Sequence, residues 1–382
     1  MFSTSLSETQ EQIMLAARKI AKEEVFPGSV ERDANAEFSR DILNKLGELG
    51  FLGMMVPEEL GGAGFDAVSY ALAIKEIAKA DASVSIVLSV QNSLVNWILQ
   101  YYANDTQKEK FLKPLAQGIK IGSYCLSEPE AGSDATQQHT IATKTDGGWI
   151  LNGMKNWIST GINADLNIVF AQTNSELKHK GITCFIVERG TQGWEPLKGE
   201  NKMGMRASDT CSIAITNCFV PDENVIGSVG QGFTLAMESL NGGRIGIAAQ
   251  AVGIAEAAFE ASVKYAKERI TFGKPIIEHQ MIQSKLAQMS AKIDASLLLV
   301  LKAAHKKDMH ENFIQDSAEA KMFASATAVE VTREAVQIHG GYGYVREYLV
   351  ERYYRDAKVT EIYEGTSEIQ TIVIARELMK KY

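Results

Sequence analysis

The feature that most constrains the fold of this chain is a change in the spacing of its apolar residues. Over residues 1–120 the apolar side chains recur at the period of amphipathic helices. Residues 121–228 change to short β-branched and aromatic runs separated by turn residues, and residues 229–382 return to helical spacing. We therefore predict a mainly α protein with a central β domain, divided into an N-terminal helical domain (1–120), a middle β domain (121–228) and a C-terminal helical-bundle domain (229–382).

The same patterns predict individual elements. Ser7 and Gln10 have the spacing of a capping box in front of a first helix. Further helices are predicted over residues 67–80, 84–101, 278–306, 314–338 and 369–380. Strands of a small, mostly antiparallel sheet are predicted at residues 149–151, 166–171, 182–187 and 212–215.

The composition is that of a globular protein with more than one domain. The chain has 382 residues, of which 45% are hydrophobic and 23% are charged, and this is long for one ordinary domain. Its net charge is -8, and it has no block rich in lysine or arginine. We therefore expect no nucleic-acid partner, because a phosphate backbone requires a concentration of positive charge.

Cysteine spacing predicts no disulfide, and the sequence predicts no metal site. Cys125, Cys184, Cys211 and Cys218 lie far apart without a Cys-x-x-Cys pair, as expected for reduced, mostly buried thiols. No run approaches the ~20 unbroken apolar residues of a membrane span, and the N-terminus lacks a charged-then-apolar signal pattern. We expect a soluble, cytoplasmic protein that does not bind membranes, although a processed chain in the mitochondrial matrix would look the same.

One carboxylate in the last thirty residues is a candidate base. Glu364 lies between Tyr363 and Gly365, and Gly365 allows a ligand to approach the backbone closely. Thr366 and Ser367 are suited to cap a following helix. A carboxylate at such a junction, beside apolar groups, is placed to act as a base with a raised pKa. A solvated glutamate in a turn is the alternative, and the local spacing alone favours that alternative.

Two polar segments lie near the start of the β domain. The run Ser127-Glu128-Pro129-Glu130-Ala131-Gly132-Ser133-Asp134 could bind a ring edge or a pyrophosphate through hydroxyls and backbone N–H groups. The run Lys155-Asn156-Trp157-Ile158-Ser159 contains a tryptophan that could stack on a planar cofactor. An ordinary serine turn and a core tryptophan are the structural alternatives.

Two further segments lie at predicted helix ends. In Arg269-Ile270-Thr271-Phe272-Gly273-Lys274, Arg269 could hold a phosphate and Phe272 could stack, and a cationic helix C-terminus is the alternative. Gln337-Ile338-His339-Gly340-Gly341 is a glycine-rich helix exit where backbone can approach a ligand, but it is not a dinucleotide-binding fingerprint. No Ser-His-Asp, Cys-His or P-loop arrangement can be proposed from spacing.

Taken in order, these motifs resemble the acyl-CoA dehydrogenase family over essentially the whole chain. The matching segments are residues 57–64, 124–134, 155–161, 269–274, 337–343 and 362–370. The resemblance implies an acyl-CoA dehydrogenase-like fold, with a helical N-domain, a β-barrel-like middle domain and a C-terminal four-helix bundle. It also implies a non-covalent FAD, a homotetramer built as a dimer of dimers, and an electron-transferring flavoprotein as partner.

The resemblance also implies the reaction and its residues. Glu364 matches the family's catalytic base, which would remove the α-proton of an acyl-CoA while hydride leaves the β-carbon for flavin N5, giving a trans-2-enoyl-CoA. The positions that match the family's FAD contacts are Tyr124, Leu126, Ser127, Gly132, Ser133, Trp157, Ile158, Ser159, Arg269, Thr271, Phe272, Gln280, Gln337, Ile338, Gly340, Gly341, Thr366 and Glu368. The positions that match its substrate contacts are Ser133, Asn241, Arg244, Tyr363 and Gly365.

Within the family, the chain most resembles the short-chain, butyryl-type members, notably at residues 240–249, 342–347 and 360–370. The helix carrying Asn92, Leu94 and Trp97 is expected to form the floor of the acyl pocket, which Trp97 could shorten. Isovaleryl-type members place their base at the position of Gly243, so isovaleryl-CoA is not the expected substrate. Asn241 replaces an acidic residue that is frequent in relatives, which affects the expected CoA contacts but not the chemistry.

Several alternatives remain open at this point. The substrate could be a medium-chain or 2-methyl-branched acyl-CoA. The protein could also be an acyl-CoA oxidase-like flavoenzyme in which oxygen reaches the flavin. A DNA-binding relative is disfavoured by the acidic charge, and a flavin-free acyl-CoA-binding scaffold would be a colourless protein.

Overall fold

The first part of the chain is helical, as predicted. The computed structural model describes residues 5–382. Ser7 accepts a hydrogen bond from the Gln10 backbone N–H at 3.2 Å, and the Gln10 side chain accepts one from the Ser7 N–H, which confirms the capping box. The α-helices of this part are α1 (Glu8–Ile20), α2 (Ser29–Asn35), α3 (Arg40–Glu48), α4 (Ala67–Ala80), α5 (Ala82–Val90), α6 (Asn96–Tyr102), α7 (Asp105–Gln107) and α8 (Lys113–Ala116).

The single helix predicted over residues 84–101 is wrong in one respect, because a π-helical turn at Gln91–Val95 separates α5 from α6. The turn contains buried amides that bind neighbouring backbone. Asn92 donates to the Phe51 carbonyl and accepts from the Met54 N–H, both at 2.8 Å. The stretch Ala82–Tyr102 is apolar and long enough to cross a membrane, but 94% of its most apolar window is buried inside the protein, as in a core helix.

A mixed, mostly antiparallel sheet forms the middle of the chain, and it includes all four predicted strands. Its order is β6-β7-β3-β2-β4-β5-β8, with β1 paired in parallel to β4. In the described residues the end strands β6 and β8 do not pair, so the hydrogen bonding forms an open sheet rather than a closed barrel. The strands are β1 (Gly122–Cys125), β2 (Ile141–Thr145), β3 (Gly148–Ser159), β4 (Leu166–Gln172), β5 (Ile182–Glu188), β6 (Trp194–Pro196), β7 (Thr210–Pro221) and β8 (Val225–Ile226).

Long helices return after the sheet. The helix α9 packs against α4 as well as against α10 and α11, so it joins the C-terminal bundle to the N-terminal layer. The predicted helices 278–306, 314–338 and 369–380 correspond to α10, α11 and α13, with no end shifted by more than two residues. The C-terminal helices are α9 (Gly232–Glu268), α10 (Gln280–Asp308), α11 (Ile314–His339), α12 (Val350–Lys358) and α13 (Ser367–Met379).

A short β-hairpin with a two-residue turn connects α9 to α10, and the sequence did not predict it. Its strands β9 (Ile270–Thr271) and β10 (Lys274–Pro275) pair antiparallel around Phe272 and Gly273. Both turn residues have positive φ, +51° and +80°, as a tight hairpin turn of this kind requires. Phe272 stands at the tip with its side chain almost fully exposed.

The buried residues form two clusters. The larger one runs through both helical regions and includes one face of the sheet, with Leu166, Ile168 and Phe170 of β4. The smaller one lies on the other face and contains Cys125, Cys211 and Cys218. All four cysteines are buried and none is in a disulfide, as predicted.

Candidate active site

Glu364 lies in the short connection that leads into α13. Its φ is +51° and that of Gly365 is +93°, so two consecutive residues adopt the left-handed region. A Cβ on Gly365 would lie 2.6 Å from the Gln370 side chain, which accounts for a glycine there. Thr366 caps α13 by accepting from the Ile369 N–H at 3.3 Å, as predicted.

The carboxylate of Glu364 is enclosed and unpaired. Parts of the residue are accessible, but both carboxylate oxygens are closed off from solvent and have no hydrogen-bond partner in the described residues. Burial raises the pKa of Glu364 to about 7, although the positive charges of Lys321 and Arg244 oppose the rise. The group is therefore poised to exchange a proton near neutral pH.

A glycine of α9 makes room for this carboxylate. A Cβ built on Gly243 would lie 2.0 Å from Glu364 Oε2 and 3.0 Å from Leu94 Cδ2. Side chains at positions 243 and 364 therefore compete for the same space. Leu94 thus lies close to the carboxylate, whereas Trp97 packs on Tyr101 and Tyr102 and the Asn92 amide binds backbone.

Two buried cations face Glu364 without bonding to it directly. Arg244 is 6% exposed and donates to the Asn241 side chain at 2.8 Å, while its Nε has no partner. Burial lowers the pKa of Arg244 to about 10, so it stays charged at neutral pH. Lys321 is fully buried and donates from Nζ to the Gly365 carbonyl at 2.7 Å. Lys321 is absent from the predicted site residues.

The sequence contained a signal for Lys321. In α11 the small residues Ser317, Ala324, Ser325 and Ala328 follow helical spacing and are buried, and Lys321 lies on the same face. A lone charge on the buried face of a helix requires a partner. The prediction missed it because the partner is a backbone carbonyl more than forty residues away in the chain.

A hydrogen-bond network lies farther along α9 from Gly243. Tyr363 donates a short hydrogen bond to Gln250 of α9, and Gln250 donates to the Ala82 carbonyl and to Ser85 Oγ. One turn nearer to Gly243, the hydroxyls of Tyr70 and Ser89 pack on Gly246, where a Cβ would lie within 2.4 Å of each. The substrate-matched Tyr363 thus lies in the site, but its hydroxyl faces Gln250.

The first group of predicted FAD residues lies on β1 and the loop after it. Tyr124 is half-buried, with its ring 5.2 Å from that of Phe170. Leu126 is 7% exposed, Ser127 is half-buried, and Gly132 and Ser133 are exposed. A Cβ on Gly132 would meet nothing within 4 Å, so this part of the loop is open to a ligand.

An enclosed ion pair holds this loop. Lys155 of β3 is fully buried and donates to Glu128 Oε1 at 2.7 Å, to Gln138 and to the Leu126 carbonyl. Glu128 also accepts from the His139 and Thr140 N–H groups. Burial alone raises the pKa of Glu128, but the Lys155 charge and these hydrogen bonds outweigh it and hold that pKa below its usual range.

The second group lies at the end of β3. Trp157 has a φ of +60°, and 62% of it is exposed, so the core-tryptophan alternative is wrong. Ser159 is half-buried beside it, whereas the Ile158 side chain is 2% exposed and packs in the sheet core. Only the backbone of Ile158 can therefore reach a ligand.

The third group surrounds a cavity of about 640 Å³ between α9, the hairpin and the end of α11. Arg269, Thr271, Ile338, Gly340 and Gly341 line it, and a Cβ on either glycine would meet nothing within 4 Å. Phe272, Gln280 and Gln337 are exposed outside this lining. Glu364 does not line this cavity, whose lining includes five of the positions predicted to contact the cofactor.

The remaining predicted contacts lie near the start of α13. Thr366 is half-buried as the helix cap, and Glu368 is exposed in the first turn. Asn241 is half-buried on α9. Of the twelve buried side-chain atoms without a hydrogen-bond partner in residues 5–382, four belong to Glu364, Arg244 and Gln370, which marks this region as the place where a polar ligand would find partners.

Comparisons with known families and proteins agree with this geometry. The chain matches the acyl-CoA dehydrogenase N-terminal domain over residues 7–119, the middle domain over residues 123–218 and the C-terminal domain over residues 230–379. It is 43% identical to the mitochondrial short-chain specific acyl-CoA dehydrogenase of Rattus norvegicus, over 100% of this chain and 92% of the relative. It is 46% identical to the short-chain specific acyl-CoA dehydrogenase of Megasphaera elsdenii, over 98% and 99%.

Solved structures are similar over the full length as well. Butyryl-CoA dehydrogenase from Megasphaera elsdenii superposes with a TM-score of 0.97 at 45% identity, covering 99% of this chain and 100% of that one. A chain in a structure described as the electron transferring flavoprotein of Acidaminococcus fermentans gives a TM-score of 0.98 at 44% identity, with the same coverage. The fold, the site and these matches lead to one conclusion: this chain belongs to the acyl-CoA dehydrogenase family.

Proposed function

We propose that this protein is a short-chain acyl-CoA dehydrogenase that oxidises a butyryl-sized acyl-CoA to its trans-2-enoyl-CoA. The observation that carries this proposal is the enclosed, unpaired Glu364 carboxylate, whose pKa burial raises to about 7. Full-length relatives named as short-chain enzymes support the substrate class. Members of the family depend on FAD.

The proposed role of Glu364 is to take the α-proton of the thioester. That proton is weakly acidic, so the base must not be stabilised by solvent or by a direct ion pair, and Glu364 has neither. The positive charges of Arg244 and Lys321 favour the ionised form of Glu364, but neither side chain forms a direct ion pair with its carboxylate. We assign the Glu364 backbone N–H as a donor to the thioester carbonyl. A donor of this kind lowers the barrier by roughly 3–4 kcal/mol.

Residues from all three predicted groups suit the two ends of an FAD. Trp157 and Ser159 present an exposed ring and a hydroxyl at the end of β3, and Ser127 lies on the neighbouring loop. Arg269 and Thr271 provide a guanidinium and a hydroxyl beside the open backbone of the glycine-rich exit, suited to the phosphate and adenine end. FAD, when bound, supplies the hydride acceptor.

The groups packed along α9 beyond Gly243 favour a short acyl chain. Along α9, Gly246 lies one turn beyond Gly243 and is covered by Tyr70 and Ser89. Gln250 lies two turns beyond, roughly 10 Å along the helix, and is held by hydrogen bonds to Ala82, Ser85 and Tyr363. A long acyl chain running along α9 would have to displace these groups.

The proposed partners follow from the family and its neighbours. The Acidaminococcus fermentans structure supports an electron-transferring flavoprotein as electron acceptor. We propose a homotetramer, a dimer of dimers, in which exposed apolar groups such as Phe272 and Met281 become covered by other subunits. A cytoplasmic location and the absence of nucleic-acid, membrane and metal partners complete the proposal.

The test is anaerobic bleaching of the bound flavin by acyl-CoAs of different length and branching. Butyryl-CoA should bleach it fastest, with long-chain, isovaleryl and 2-methyl-branched substrates slower. Equal or faster bleaching by octanoyl-CoA would contradict the short-chain assignment, and no bleaching by any acyl-CoA would contradict the reaction. Reoxidation should be fast with electron-transferring flavoprotein and slow with air, and fast turnover with air alone would favour the oxidase-like alternative.

A further inference from the structure

Lys321 is a buried charge that the proposed reaction does not use directly. Its side chain is fully buried in α11, and its Nζ donates to the Gly365 carbonyl at 2.7 Å. Burial lowers the pKa of Lys321 to about 8, while the negative charge of Glu364 opposes that effect, so the ammonium form predominates at neutral pH. The ammonium therefore sits beside the residue that follows the proposed base.

Gln370 holds the same stretch of backbone from a second helix. From the first turn of α13, its Nε2 donates to the Gly365 carbonyl at 2.8 Å and to the Glu364 carbonyl at 3.2 Å. Gln370 is fully buried as well. Two side chains on different helices thus bind the Gly365 carbonyl, and Gln370 binds the Glu364 carbonyl as well.

This backbone needs support. A non-glycine residue with positive φ is strained and persists only where its surroundings impose it, and Glu364 has a φ of +51°. If the support were removed, the chain could relax and turn the carboxylate away from Gly243. No hydrogen bond to the carboxylate itself in the described residues would prevent that movement.

We propose that Lys321 and Gln370 are positioning residues that clamp the Glu364–Gly365 backbone, with Lys321 also supplying a buried positive charge to the ionised base. This inference rests on the proposed function of Glu364. Arg244 of α9 is the other cation that faces Glu364. The remaining titratable groups that interact with Glu364 or Lys321 are Tyr70, Tyr124, Glu361, Tyr363 and Glu368.

The test compares Lys321→Met with Gln370→Met in the FAD-loaded protein. Each variant removes donors to the clamp, but only the first removes a charge. We expect at least a tenfold slower anaerobic flavin reduction by butyryl-CoA in both. A nearby positive charge stabilises the ionised carboxylate, so Lys321→Met should raise the pKa of Glu364. The acid limb of the pH–rate profile should then move upward by roughly one pH unit, whereas Gln370→Met should leave that limb in place.

The matched control is Lys302→Met. Lys302 pairs with Asp316, which lies on α11 like Lys321, but it does not contact the Glu364 connection. It should change neither the rate nor the limb. An unmoved limb in Lys321→Met, whether or not the rate falls, would overturn the proposal, because packing alone would then account for the lysine.

A readout without substrate separates this inference from the proposed function. The protonated carboxyl band of Glu364, assigned by its loss in Glu364→Gln, can be followed with pH by infrared difference spectroscopy. Its midpoint should rise in Lys321→Met even if no acyl-CoA were oxidised, and an unchanged midpoint would overturn the inference. If Lys321→Met does not retain flavin or a parent-like melting temperature, Lys321→Gln, which keeps a donor but not the charge, carries the same test.

Discussion

Glu364 and Glu128 are both enclosed glutamates near a buried lysine, yet their environments are opposite. Glu128 binds Lys155 directly at 2.7 Å and accepts two backbone N–H groups, so its pKa lies below the usual range. Glu364 makes no hydrogen bond through its carboxylate, and its lysine binds the neighbouring carbonyl instead, so burial raises its pKa to about 7. A direct partner makes a buried carboxylate structural, and the lack of one leaves it reactive.

The largest expected difference is in catalysis. Glu364→Gln should slow anaerobic flavin reduction by butyryl-CoA by about a thousandfold, within the usual range for losing a general base, while FAD and acyl-CoA still bind. In Glu128→Gln we expect weaker FAD retention and a smaller rate loss in molecules that keep flavin. Stopped-flow absorbance measures both. If the flavin of Glu364→Gln bleached at the parent rate, Glu364 would not be the base.

The next largest effect is expected when the ion pair between Lys155 and Glu128 is broken. Lys155→Met leaves Glu128 buried without its cation and should cost about 3–5 kcal/mol of unfolding free energy. The loop that carries Leu126 and Ser127 should loosen as well, with a higher dissociation constant for FAD. Urea unfolding and flavin titration measure the two effects. If stability and FAD affinity both stayed at the parent values, the ion pair would not hold this loop.

In contrast, replacing the unpaired Glu364 should increase the free energy of unfolding above neutral pH. The rise in the pKa of Glu364 from 4.5 to about 7 corresponds to roughly 3 kcal/mol of destabilisation once the group is ionised in both states. Because the folded pKa is the higher one, this cost is absent below pH 4.5, grows between 4.5 and about 7, and is complete above 7. Glu364→Gln should therefore be more stable than the parent at pH 8 and equal to it at pH 4. Equal stability at both values would contradict the buried, unpaired assignment.

The smallest predicted effect tests the space around the base. A Cβ on Gly243 would lie 2.0 Å from Glu364 Oε2, so Gly243→Ala should displace the carboxylate and slow flavin reduction by about tenfold, or roughly 1.4 kcal/mol of barrier. Gly242→Ala, one residue earlier on α9, is a matched control, because a Cβ there would meet only the flexible end of Lys307 at 3.3 Å and the Ser93 carbonyl at 3.8 Å, and thermal melting should show that both variants fold. If Gly243→Ala reduced its flavin at the parent rate, the Glu364 carboxylate would not lie beside Gly243.

The sequence predicted the larger elements well because their signals are local. The periodicity of residues 67–80 identified α4 to the residue, and the spacing of Ser7 and Gln10 identified the capping box of α1. The π turn at Gln91–Val95 and the Phe272-Gly273 hairpin were missed. The former depends on amide contacts to distant backbone, and the latter has only two residues in each strand.

The candidate site divides in the same way. The position of Glu364 before a capped helix could be predicted from the residues around it, but its burial could not, because Gly243, Leu94 and Lys321 come from three other parts of the chain. Lys321 was missed because its partner is a backbone carbonyl, which no side-chain spacing reveals. The roles of the FAD-matched residues came from the resemblance and stay predictions.

The central claim is that Glu364 is a buried carboxylate without a direct partner, and an infrared pH titration of the intact FAD-loaded protein tests it most directly. A protonated carboxyl band that is absent from Glu364→Gln should persist above pH 5 and disappear with a midpoint near 7, beside a band from Asp356, whose pKa burial also raises to about 7. Glu128→Gln should leave that band in place. A midpoint near the ordinary 4.5 for the band that Glu364→Gln removes, or as many bands above pH 5 in Glu364→Gln as in the parent, would contradict the account.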